Sequence, residues 1–159
     1  MLVPKGEVDR RMERFGEECR RSGLRITHQR TEVFRELAGT GEHPDAETLY
    51  QRLRRRVPTI SRDTVYRTLA ALEARGLVRK AGILFSRARY DANMACHHHF
   101  VCTECGRVSD FYSQALDNMP IPRSVASLGR IQSTHVQVRG VCSACVGRKA
   151  KAPSRAKNR

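Results

Sequence analysis

Four of the six cysteines form two CxxC pairs, Cys102-Thr-Glu-Cys105 and Cys142-Ser-Ala-Cys145. Zinc takes four soft ligands in a tetrahedron, and two CxxC turns can each present two thiolates to one ion. Outside a secreted context such pairs predict metal ligation before disulfides or redox dithiols. Gly106 follows the first pair and Gly140 precedes the second, where the chain must turn closely around the ion. The 36 residues between the pairs exceed a zinc-ribbon gap, so a small strand-rich subdomain must fold between them. Four thiolates leave no open position, which predicts structural rather than catalytic zinc.

A second constellation lies just upstream: Asp91, the run Cys96-His97-His98-His99, and Asp110. On a strand alternate residues share a face, so His97 and His99 point together and His98 points away. Imidazoles and carboxylates without thiolate suit Fe²⁺, Mn²⁺ or Zn²⁺ better than a soft metal. A bare triple histidine reads as a solvated surface patch. The flanking aspartates and the neighbouring cysteine site turn the reading toward a second metal. Cys19 belongs to an apolar helical stripe and is expected to be a buried core thiol.

These residues need elements to position them. Val8, Met12, Phe15 and Cys19 recur on one face of a helix that Gly23 ends. A second helix is predicted from Thr27 as N-cap, with Val33, Phe34 and Leu37 inward, stopping before Gly39 and Gly41. A third starts from Asp45 and carries Leu49 and Leu53, with Pro58 beyond its end. A fourth starts from Ser61, with Val65, Leu69 and Leu72 buried and Gly76 closing it. Residues 77–80 and 83–85 then read as two short strands turning at Gly82. Helices followed by a hairpin are the layout of a winged helix-turn-helix, with the helix from Ser61 as its recognition helix. That helix would leave Arg62, Tyr66 and Arg67 facing outward, residue types able to contact base edges. In the second half Phe100-Val101, Val108, Val136 and Val138 predict strands, and Pro120 and Pro122 a loop. The expected division is a DNA-binding domain over 1–88, a metal-binding domain over 89–147, and a basic disordered tail over 148–159.

Charge supports that division. Residues 1–90 hold twenty Lys/Arg against twelve Asp/Glu, residues 91–147 hold four of each, and residues 148–159 add six basic residues and no acid, within a total of +14 over 159 residues. Such a surplus suits a polyanion, of which nucleic acid is the usual one. No apolar run is long enough for a membrane span or a secretory segment, so a cytoplasmic location without membrane partners is expected. No HExxH helix or nucleophile–base pair is present, which argues against a metallohydrolase or any other enzyme. A zinc-ribbon RNA-binding or scaffold protein would explain the charge and cysteines but not the His/Asp set.

Taken together, the strings GLRITHQR at 23–30, HPDAETLY at 43–50, ISRDTVYRTLAALEARGLV at 60–78, RYD at 89–91, HHHFVCTECG at 97–106, SDF at 109–111 and GVCSAC at 140–145 resemble the ferric uptake regulator superfamily, in its order and over roughly residues 15–147. The resemblance implies an α+β protein: an N-terminal winged helix-turn-helix domain, a hinge near residues 86–93, and a small α/β dimerisation domain with a four-cysteine zinc site. It implies structural zinc at Cys102, Cys105, Cys142 and Cys145. It implies a regulatory Fe²⁺ or Mn²⁺ on His43, Asp91, His97, His99 and Asp110, and DNA contacts from Arg25, Tyr66 and Arg67. The expected function is a metal-dependent transcriptional repressor that binds double-stranded operator DNA as a homodimer. One ion bound by both domains would make DNA binding depend on metal by linkage.

Three His and two Asp resemble the peroxide-sensing branch, in which bound Fe²⁺ reacts with hydrogen peroxide and a ligand histidine, His43 or His97, is oxidised. Asp at 110 stands where iron sensors more often carry Glu, and Asp91 where zinc sensors tend to place a cysteine. The alternative is an iron-responsive regulator of the same fold, with zinc or manganese sensing behind it. Cys96 and His98 depart from the iron-sensor pattern. Asp117 and His135 could form an additional site in the iron-sensor manner, although His135 lies one residue closer to the second CxxC than usual.

Overall fold

The computed structural model describes residues 3–84, 87–131 and 134–151. The chain forms two compact units, Met1–Ala95 and Cys96–Arg159.

The first unit is built from capped helices. Helix α1 spans Lys5–Arg21, α2 His28–Ala38, α3 Ala46–Leu53 and α4 Arg62–Glu73. The cap of each of the last three is a short polar side chain that accepts an otherwise orphaned helical N–H. Thr27 Oγ1 accepts from Arg30 N at 3.3 Å, Asp45 Oδ1 from Thr48 N at 2.7 Å, and Ser61 Oγ from Thr64 N at 3.1 Å. Helix α4 closes as its sequence predicts. Gly76 takes a left-handed φ of 64°, and Leu77 N–H reaches back to Leu72 O at 3.0 Å. The predicted stripes turn inward. Phe15, Cys19, Val33, Phe34, Leu37, Leu49, Leu53, Val65, Leu69 and Leu72 are all buried in one core, in which the Phe15 and Phe34 rings stack at 4.8 Å.

The wing differs from the predicted hairpin. Strand β1 runs Arg79–Leu84 without a turn at Gly82, and its antiparallel partner β2 is Arg87–Asp91. The glycine sits at a bulge, where the register shifts between Lys80 and Gly82. Ile83 and Leu84 therefore belong to the first strand, and Phe85 lies outside the described residues. The register sets Arg79 opposite Asp91. Strand pairing thus places Arg89–Asp91 in the first unit.

The second unit is a three-stranded sheet in the order β4-β3-β5, with β3 His98–Cys102, β4 Val108–Phe111 and β5 Gln137–Gly140. Strand β4 pairs antiparallel with β3, and β5 pairs parallel to it. Two four-residue helices, α5 Gln114–Asp117 and α6 Arg123–Ala126, fill the crossover, and α7 Ser143–Lys151 follows β5. Residues Arg148–Lys151 of the expected disordered tail are thus helical, and residues 152–159 lie outside the described ones. The architecture is α+β, a winged helix-turn-helix followed by a small α/β unit.

The two units bury very different amounts of apolar surface. Among the described residues of the second, the buried hydrophobic side chains are Val101, Cys102, Val108 and Cys145, and two of these are thiols. The first unit is held by its core and its caps. Leu69→Ala should therefore destabilise it by about 2–5 kcal/mol, through lost burial and a residual cavity. Ser61→Ala should cost only about 1 kcal/mol, the worth of one cap. Denaturant unfolding followed by far-UV circular dichroism measures both, and a larger loss for Ser61→Ala would contradict this account.

Candidate metal centre

Strand β3 leads into the first CxxC turn and β5 into the second, so their parallel pairing brings the cysteines together. Cys102 lies opposite Gly140 in the register, and Thr103 N–H donates to Gly140 O at 2.8 Å. Gly106 takes φ 70°, the left-handed turn a close loop needs. A side chain at Gly140 would meet the Phe100 ring at 3.2 Å, so that ring would have to shift by a few tenths of an ångström to admit one.

The four sulfurs all lie within 4.8 Å of one another. Cys102 Sγ is 4.0 Å from Cys145 Sγ, and Cys105 Sγ is 3.8 Å from Cys142 Sγ. Tetrahedral zinc with Zn–S bonds of ~2.3 Å requires sulfurs about 3.8 Å apart. The donors and their spacing fit structural zinc. Electrostatics prepare the cluster. Backbone N–H groups of Cys105 and Cys142 donate to Cys102 Sγ, and these bonds hold its thiol down to about 6. Cys145 is pushed up to about 11, first by burial, although the Arg148 guanidinium 2.7 Å away opposes the shift. One thiolate thus forms readily, while a buried neighbour resists a second negative charge until a cation compensates it.

The triple histidine is no solvated patch: His97, His98 and His99 are at most 3% exposed. His97 Nε2 lies 3.0 Å from His99 Nε2, and the rings meet nearly at right angles. Register puts Asp110 opposite His99, and its Oδ1 lies 3.5 Å from His97 Nε2 and 3.6 Å from His99 Nε2. Metal bonds of ~2.1 Å put adjacent ligands roughly 3.0–3.4 Å apart, so these three donors have the reach of one divalent ion. His98 turns away as the strand alternation predicts. Its Nδ1 accepts from Val136 N–H at 3.1 Å, and its Nε2 lies 3.2 Å from Asp117 Oδ1. The Cys96 thiol donates to that same oxygen at 3.0 Å. The ring of His135 lies beside that of His99, with centroids 6.5 Å apart.

In the first unit His43 and Asp91, distant in sequence, are brought together, with His43 Nε2 3.8 Å from Asp91 Oδ2. Both are buried. His43 adopts φ 49°, a left-handed conformation that costs a non-glycine residue about 1–3 kcal/mol. The surrounding structure enforces it. Tyr90 N–H donates to Pro44 O at 3.1 Å and Arg89 to His43 O at 3.4 Å, so β2 grips the loop that carries the histidine.

Of the residues expected to meet DNA, Arg25 is exposed ahead of α2. Tyr66 is 52% exposed on α4, and Arg67 is exposed and paired with Asp63 at 3.3 Å. An exposed pair of this kind is worth little and yields readily to a stronger anion. Arg62 is engaged elsewhere: its guanidinium bonds Glu47 and lies 4.7 Å over the Tyr50 ring. Sequence reasoning missed Arg79, which bonds Asp91 and the segment after it. Its only sequence signal is a basic residue directly after the apolar pair Leu77-Val78.

Removal of one thiol should abolish zinc retention, because three ligands leave a buried charge cluster unfilled. Cys142→Ser should purify with less than about a tenth of the wild-type zinc, and its second unit should lose structure, since structural zinc contributes about 10–16 kcal/mol to such sites. Zinc release read with a chromogenic chelator tests this, and one retained equivalent per chain in the variant would refute it.

Comparison with known proteins agrees with the geometry. The profile of the ferric uptake regulator family matches residues 21–139. The peroxide-responsive repressor PerR of Staphylococcus epidermidis is 31% identical over 140 residues, covering 87% of this chain and 92% of that protein. A solved zinc-bound manganese uptake regulator is 30% identical, with a TM-score of 0.62, covering 80% of this chain and 97% of that one. The Helicobacter pylori ferric uptake regulator shares the fold with a TM-score of 0.70 at 22% identity, covering 92% and 97% of the two chains. The chain belongs to the ferric uptake regulator family, whose members are metal-responsive transcriptional regulators and not enzymes.

Proposed function

We propose that this regulator is a homodimeric repressor that binds operator DNA when one Fe²⁺ or Mn²⁺ ion is held by His43, Asp91, His97, His99 and Asp110. In this reading Cys102, Cys105, Cys142 and Cys145 hold structural zinc. The observation that carries the reading is the divided donor set. The first unit pairs a buried His43 with a buried Asp91, and the second gathers His97, His99 and Asp110. Two donors hold a divalent ion poorly, and three leave it open. One ion that takes all five fills its preferred shell of nitrogen and oxygen. Occupancy would then fix the DNA-reading unit relative to the dimerising one, and metal would favour the DNA-binding form by linkage.

The partners follow from the surfaces. Tyr66, Arg67 and Arg25 stand exposed on the winged unit and would contact the duplex. The second unit leaves Met119, Val125, Leu128, Ile131 and Val138 exposed, an apolar excess that a second copy would cover. No helix among the described residues is long and apolar enough to cross a membrane, and a cytoplasmic location would suit action on DNA.

Hydrogen peroxide is the proposed signal. The donor set lacks thiolate, and the Staphylococcus epidermidis relative is a peroxide-responsive repressor. Iron held by these residues would supply the electrons for reaction with peroxide. The chain supplies the oxidisable imidazoles, His43 and His97, whose modification would remove a ligand. Iron responsiveness without peroxide chemistry, in a regulator of the same fold, is the second reading.

Duplexes selected from genomic fragments by the Mn²⁺-loaded protein provide the probe. Both Fe²⁺ and Mn²⁺ should activate binding in fluorescence anisotropy, and peroxide should abolish it in the iron form alone. Survival of the iron form would leave the iron-responsive reading in place. His43→Ala should weaken metal-activated binding by more than the ~10-fold typical of losing a group that merely supports a ligand, while zinc and dimer persist. Normal operator binding by that variant would remove His43 from the site.

A further inference from the structure

Arg79 is placed where one side chain can control how Asp91 is offered to a metal. It stands opposite Asp91 in the β1–β2 register. Its Nε donates to Asp91 Oδ2 at 3.2 Å, and one terminal nitrogen donates to Asn93 O at 2.7 Å and Ala95 O at 2.9 Å. The other carboxylate oxygen, Oδ1, accepts from Asn93 N–H at 2.6 Å, and Asn93 Oδ1 accepts from Ala95 N–H at 3.2 Å. A single planar guanidinium therefore grips the chain at residues 91, 93 and 95, the stretch that leaves the wing and leads to His97. Ala92 also packs into the helical core, and Asn93 is buried. Ala92, Asn93, Met94 and Ala95 line a cavity of about 320 Å³ against α1, with Glu7, Arg10, Arg11 and Arg14 on the other side.

We propose that Arg79 is the positioning residue of the regulatory metal site, orienting the Asp91 carboxylate and holding the 92–95 segment in one conformation. The inference rests on the reading of Asp91 as a metal ligand. Arg suits the task better than Lys. Its fork spans a carboxylate and two carbonyls at fixed angles, whereas an ammonium is a point charge on a flexible stem. The guanidinium also carries a positive charge beside a site for a cation, and that charge opposes metal binding. The two influences have opposite signs, so they can be told apart. If charge dominates, removing Arg79 tightens metal binding. If positioning dominates, removing it weakens binding.

The test uses the full-length, zinc-loaded protein titrated with Mn²⁺ and read by the electron paramagnetic resonance of the free ion. Wild type, Arg79→Met, Arg79→Lys and Asp91→Asn are compared. Arg79→Met should raise the Mn²⁺ Kd about tenfold, the usual cost of losing a group that orients a ligand. Hydrogen exchange should quicken at Asn93 and Ala95, with zinc content unchanged. Arg79→Lys should fall between Arg79→Met and wild type. Equal or tighter Mn²⁺ binding by Arg79→Met, with Asp91→Asn defective, overturns the role of Arg79 and leaves the ligand set standing. Normal binding by Asp91→Asn overturns the ligand reading, and the Arg79 role with it. If Arg79→Met loses zinc or fails to fold, Arg79→Lys decides: wild-type affinity and exchange overturn the proposal, and weaker binding with faster exchange supports it.

Discussion

The second unit depends on four sulfur atoms converging. Its described buried apolar side chains are few, and its strands are four or five residues long. A sheet of that size with so little apolar burial is marginal in water. What closes it is the parallel pairing of β3 with β5, and those strands are joined to the two CxxC turns. Zinc bound by the turns would add stabilisation of the order that small metallodomains require. The histidine run and strand β4 inherit that anchoring. His99 lies on β3 three residues before Cys102, and Asp110 lies on β4, paired with the same strand.

The first unit solves its problem without metal, through a core of interlocked helices and three side-chain caps. Its contribution to the proposed regulatory site would instead be conformational. His43 is held in a left-handed backbone, and Asp91 ends the second strand of the wing. Both are tethered by arginines of the same hairpin, His43 by Arg89 at its carbonyl and Asp91 by Arg79 at its carboxylate. The wing is thus the frame that fixes both buried residues. A strained histidine persists only when its surroundings over-determine it, and here a strand backbone and a guanidinium do so.

Much of this is legible in the residues. The caps at Thr27, Asp45 and Ser61 and the apolar stripes behind them locate three helices, because cap chemistry and 3.6-residue periodicity are local signals. Alternation correctly separates His98 from His97 and His99. The wing misleads for a physical reason: Gly82 breaks a pattern whether it makes a turn or a bulge, and only the distant partner strand decides which. The helices α5 and α6 are invisible because four residues carry no periodicity. Asp91 and Asp110 draw notice only as acids flanking the histidine run. Their actual neighbours depend on register and on a loop seated against β2, which no spacing rule encodes, and His43 enters through the family resemblance alone. Arg79 has neither periodicity nor motif to mark it.

The arrangement of donors also explains how a chain with six cysteines can offer a site without thiolate. Cys96 is the immediate neighbour of His97, and a thiolate in the regulatory set would favour zinc over the harder, more exchangeable ions. Its thiol bonds Asp117 instead. Cys96 and His98 both reach Asp117, whereas His97 and His99 both reach Asp110. One contiguous run of four residues is thus divided between two carboxylates. Soft sulfur is directed to one side and paired nitrogens to the other, with the closed cysteine cluster one turn of chain further on. A hard, thiol-free site binds its ion less tightly than four thiolates bind theirs. That difference would let one metal serve as scaffold while the other remains free to exchange.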